Sequence, residues 1–96
     1  MARQAELSLK DAIEKLLHTY KLKSKVQEAQ LVAAWESIMG KMIERHTRDL
    51  YIKNKKLFVK LDSAVVRQEL MYARTTVLEK VNQELGARVI EEVVFL

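Results

Sequence analysis

The 96-residue sequence has no cysteine, no proline, only two glycines and few aromatics, 6% in all. Without cysteine there is no disulfide framework, no thiol nucleophile and no thiolate ligand for zinc or an iron–sulfur cluster. Two glycines cannot build a phosphate-cradling loop. The lack of proline and the scarcity of glycine also predict regular elements joined by short connections, with no Gly/Ser or Pro linker. No apolar run approaches the roughly 18 residues of a membrane span. The opening "MARQAELSLKDAIEK" has acids where a signal peptide needs an apolar stretch, which predicts a cytoplasmic protein. A chain of this length buries roughly 60–65% of its unfolded surface, enough for one core, so a single domain over residues 1–96 is expected.

What the chain does contain is unevenly spread positive charge. The total is +4, yet the stretch from Lys15 to Lys60 holds eleven Lys/Arg against four acids, leaving the remainder at −3. Such asymmetry suits a polyanionic partner for the first two thirds and a different role for the last third, or serves solubility alone.

Apolar spacing outlines the elements. In "LSLKDAIEKLLHTYKL", Leu9, Ile13, Leu16, Leu17 and Tyr20 recur at helical intervals, with Ser8 as an N-cap, which predicts a first helix. "KLKSKV" reads as a basic connection, and "QEAQLVAAWESIMG" as a second helix with Leu31, Ala34, Trp35, Ile38 and Met39 on one stripe. Gly40 is placed for an αL cap, or for a kink from which "KMIERH" continues. In "RDLYIKNKKLFVKL" the period changes to two, with Asn54-Lys55 as a two-residue turn. That turn sets Ile52 opposite Leu57, Leu50 opposite Val59, Tyr51 opposite Phe58 and Asp49 opposite Lys60. Ser63 can cap a helix broken near Tyr72–Thr75, with Thr76 and Glu79 at capping-box spacing for its second part. Gly86 ends it, and "RVIEEVVFL" reads as a closing strand parallel to its neighbour. The expected order is ααββα(α)β, an α+β fold with helices packed on a three-stranded mixed sheet.

The two faces of the hairpin differ in kind. Leu50, Ile52, Leu57, Val59 and Leu61 form an aliphatic face that must meet the helices. The opposite face sets Tyr51 and Phe58 among Lys53, Lys56 and Lys60, rings on which bases could stack beside ammonium groups for phosphates. A cross-strand aromatic pair covered by another element would use the same residues. Lys21, Lys23 and Lys25 offer a second basic footprint.

Catalytic and metal devices are missing from the pattern. Trp35 sits on an apolar stripe as a core anchor, and His46 has no ligand-spaced partner, His18 lying in another helix. Ser63 beside Asp62 lacks a nucleophile elbow and is better explained as a cap. No enzyme activity, cofactor or metal is expected.

Trp35 with Gly40 and "HT" at His46-Thr47, then "LFVKLDSAVVRQEL", "VLEKVNQELG" and the terminal "VIEEVVF", resemble the DciA family, a bacterial domain long catalogued without a function. The similarity runs from about residue 8 to 96, and its specificity lies in the order and spacing of motifs that are individually weak. The resemblance implies a KH-like domain in a protein that binds the bacterial replicative helicase and helps place it on DNA. Relatives often carry an aromatic residue near position 66, where this chain has Val66. Many also extend beyond the domain, so functions housed in such an extension are not expected of residues ending at Leu96. The Gly-x-x-Gly clamp of RNA-binding KH domains has no counterpart in "YART" at Tyr72 to Thr75. The expected function is a non-enzymatic accessory factor of DNA replication, with the helicase and single- or double-stranded DNA as partners. The alternatives are a KH-type RNA-binding module and an oligomerisation domain whose edge strand "EVVFL" pairs with a copy of itself as a homodimer.

Overall fold

The computed structural model describes the backbone of residues 2–96 and the side chains of residues 8–96. One long helix, α1 (Ala2–Met39), replaces the two helices expected up to Gly40. "KLKSKV" contains no glycine or proline, and lysine and leucine are good helix formers, so nothing there stops the helix. Ser8 accordingly lies within α1 and not at its start. Gly40 does mark the break, with φ 89° and ψ 163°. That is an extended conformation at positive φ, not the αL cap expected, and the chain resumes as the short helix α2 (Lys41–His46).

Strands β1 (Thr47–Lys53) and β2 (Lys56–Leu61) form the expected hairpin in the expected register. Asn54 (φ 52°) and Lys55 (φ 60°) both take positive φ, the signature of a type I′ turn, although lysine is an uncommon occupant. The register shifts between Thr47 and Asp49, so Arg48 is an extra, bulged residue. Helices α3 (Ala64–Tyr72) and α4 (Arg74–Leu85) follow, divided at Ala73 within the expected window. Ser63 Oγ accepts from the Val66 amide at 3.2 Å, as an N-cap should. Thr76 is a correction: α4 begins two residues before it, without a side-chain cap. Gly86 closes α4 in the αL conformation at φ 70°. Strand β3 (Glu92–Phe95) runs parallel to β2 and completes a sheet of order β1-β2-β3. The order ααββααβ and the α+β class are those expected, with the first two helices divided at Gly40.

Burial explains the arrangement. Leu57, Val59 and Leu61 of β2 share one core with Leu31 and Trp35 of α1 and with Val66, Leu70, Val77 and Val81 of α3 and α4. Ile90, Val93 and Phe95 close it from the C-terminal strand. Leu50 and Ile52 pack on its edge, so all five aliphatic residues of the hairpin face inward.

Candidate nucleic-acid interface

The outer face of the sheet follows from the pleat. With Leu57 and Val59 turned to the core, Lys56, Phe58 and Lys60 must point the other way, as must their partners Lys53, Tyr51 and Asp49. Tyr51 and Phe58 stack with ring centroids 4.9 Å apart and planes within 10°. Both are half-buried, and neither belongs to the core cluster nor to the residues packed on its edge. The structure therefore places Tyr51, Phe58, Lys53, Lys56 and Lys60 on one face, as the register predicts.

Charge on this face is not uniform. Glu92 of β3, paired in register with Lys56, brings its carboxylate to 3.5 Å from the Lys56 ammonium. Among the described residues Lys53 and Lys60 make no ion pair, which leaves them as the two cations that flank the rings.

The second predicted footprint divides. Lys21, Lys23 and Lys25 lie on a continuous helix and not on a connection, so Lys23 is about 200° round the axis from either neighbour. Lys23 alone lines a cleft of about 260 Å³ between α1, the β1–β2 turn and the segment after α4. Lys55 and Arg88 line it too, with Tyr20, Ile52 and Val89 as apolar wall and no acid. No sequence spacing signals this trio, because it comes from three elements distant along the chain.

The Trp35–Thr47 stretch is a structural seam. Trp35 is 2% exposed and donates its indole Nε1–H to Thr47 Oγ1 at 3.0 Å, and that hydroxyl donates on to the Ile43 carbonyl at 2.6 Å. His46 Nδ1 lies 2.7 Å from Asp62 Oδ1, and the bulged Arg48 pairs with the other carboxylate oxygen. The hydrogen bond with His46, then the contact and charge of Arg48, hold the Asp62 carboxyl below its ordinary range against partial desolvation. As a group with depressed pKa, Asp62 supplies stability that is present above the usual carboxylate range and lost on acidification through its lowered pKa.

Asp62 enters the sequence reading only as the neighbour of Ser63, and Arg48 and Asn82 have no role in it. Asn82 Oδ1 accepts from the amides of Val89 and Ile90, both at 3.0 Å, while its Nδ2 donates to the Ile90 carbonyl at 2.9 Å. It thereby pins the segment leading into β3. Its only signal in sequence was a half-polar residue beside the core stripe of α4.

These features define a small α+β protein whose sheet buries one face under helices and presents the other as a basic, aromatic surface. The family model described as "Dna[CI] antecedent, DciA" matches residues 8–95. The chain belongs to the DciA family, which is associated with loading of the replicative helicase. A relative described as a "UPF0232 protein" from Corynebacterium glutamicum (strain R) is 34% identical over 58 residues, 60% of this chain. The chain matches about a third of that relative's length, 33%. Among the described residues no helix is long and apolar enough to cross a membrane.

Proposed function

We propose that the chain is a non-enzymatic accessory domain of bacterial DNA replication that binds single-stranded DNA on the outer sheet face and acts with the replicative helicase. The observation that carries the DNA reading is the Tyr51–Phe58 stack, 4.9 Å between centroids, on the face that also bears Lys53 and Lys60. Stacked rings bind any base through its π-face, and ammonium groups beside them meet phosphates, so the combination suits a strand without sequence preference. Family membership supports the helicase partner, and the helical side of the domain is the surface that remains for it.

Binding to labelled single-stranded DNA across a salt series tests this reading. Each neutralised phosphate contributes about −0.7 to the slope of log affinity against log salt, so the double Lys53→Gln/Lys60→Gln variant should flatten it by about 1.4. Tyr51→Ala and Phe58→Ala should each weaken binding by about 1–3 kcal/mol per lost stacked base with little change in slope. Lys56→Gln should matter less than either free lysine, because Glu92 already neutralises it. Wild-type binding no stronger than that of a neutral protein sinks the proposal. A lysine variant that keeps the full slope moves the footprint to the cleft of Lys23, Lys55 and Arg88.

A further inference from the structure

The stripe that anchors α1 in the core does not stop where the core stops. Leu31, Ala34 and Ile38 lie eleven, fourteen and eighteen residues beyond Tyr20, each close to a whole number of turns, so they share one side of the helix with Leu9, Ile13, Leu16 and Tyr20 across the polar positions Ser24 and Gln27. Yet Leu31 is fully buried, whereas Leu9 (64%), Ile13 (50%), Leu16 (71%) and Tyr20 (60%) are exposed. Every residue from 8 to 23 is exposed, and residues 8 to 19 lie beyond the cleft that Tyr20 and Lys23 line, an overhang of about 18 Å by helical rise in a molecule 63 Å long. Helical segments of this length are marginal in water without packing, so a bare apolar arm calls for a covering surface.

We propose that the cover is a second copy of this chain, with the two α1 arms packed antiparallel about a twofold axis level with His18. Charge selects this arrangement. Residues 8–17 carry Lys10 and Lys15 against Asp11 and Glu14, whereas residues 18–27 carry Lys21, Lys23 and Lys25 without an acid. A parallel pair would bring the two basic halves together; an antiparallel pair sets each against the balanced half of the other copy. Leu16 then packs on Tyr20 of the second copy. Leu9 reaches Gln27 of that copy, at the mouth of the cleft between α1 and the hairpin turn.

The area suffices. Covering the exposed parts of Leu9, Ile13, Leu16, Leu17 and Tyr20 removes roughly 500 Å² per copy, at about 150–200 Å² for a fully exposed large side chain, against about 800 Å² per partner in a standard interface. The flanking polar residues contribute the difference.

Sedimentation of the full chain over a wide concentration range decides the matter. The expected result is a concentration-dependent dimer. Leu16→Glu should leave a monomer whose near-ultraviolet signal from Trp35 is unchanged, because the tryptophan lies in the core beyond the arm. With Leu9→Cys and Gln27→Cys together the two copies should cross-link under oxidation, whereas with Leu9→Cys alone they should not. A wild type that stays monomeric at every concentration overturns the proposal, including one that captures a different protein through α1. So does a dimer indifferent to Leu16→Glu, which would place the contact elsewhere, for instance on β3 at the sheet edge. Cross-linking through Leu9→Cys alone overturns the antiparallel register.

Discussion

The two halves of α1 have the same helical period and nearly the same apolar content on one stripe, but opposite surroundings. Around Leu31 and Trp35 the stripe lies on the sheet and is closed from water; around Leu9 to Tyr20 it faces solvent. The difference arises from reach. A three-stranded sheet of short strands can cover only the last turns of a helix about 57 Å long. An amphipathic pattern therefore states that a face needs covering and does not say what covers it.

Substitutions along the helix can break or sharpen this contrast. Trp35→Ala should have the largest effect, about 3–5 kcal/mol, since it opens a cavity in the core and strands the Thr47 hydroxyl. With a total of about 5–15 kcal/mol for a domain, chemical denaturation should show severe loss or no folded protein. A variant that melts like wild type would place Trp35 outside the core. At the end of the helix, Gly40→Ala forces a side chain onto φ 89°, where strain of roughly 1–3 kcal/mol is expected although no neighbouring atom obstructs the new Cβ. An unchanged denaturation midpoint there would mean that the break can be remade at another φ. Glu28 marks the frontier of the two halves: its Oε2 accepts the Ile52 amide at 3.1 Å. Glu28→Gln keeps an acceptor but removes its charge, so the expected loss is about 1 kcal/mol or less, measured in the same way. Smallest of all, Leu16→Ala should change the stability of the monomer by no more than about 0.5 kcal/mol, because the side chain is exposed there. A larger loss at concentrations that favour the monomer would show that the arm folds back on its own domain.

Legibility varied with the range of the interactions. The hairpin was readable because alternation and the Asn54-Lys55 turn act within a dozen residues, and a one-residue slip would have exposed the whole aliphatic face. The Arg48 bulge escaped, since it depends on where Thr47 is held by Trp35 and where Asp62 waits for the guanidinium. The α1 boundary was misplaced because a run of lysines resembles a connection in composition but is a good helix in propensity. Of the candidate interface, the grouping of Tyr51, Phe58, Lys53, Lys56 and Lys60 was legible, whereas the neutralisation of Lys56 by Glu92 required knowing that β3 adds beside β2. The cleft of Lys23, Lys55 and Arg88 was illegible, its walls coming from three separate elements.

Local pattern sufficed for the element order, the hairpin register and its inward aliphatic face, the Ser63 cap and the helix stop at Gly86, because each depends on periodicity or on the conformational preference of one or two residues. The continuity of α1, the seam joining Trp35, Thr47 and Ile43, the pinning of the last loop by Asn82 and the separation of one apolar stripe into buried and bare halves were decided only on folding. These depend on which surfaces arrive side by side, and contacts between distant segments follow from the packing of the whole chain and not from the pattern of any one part of it.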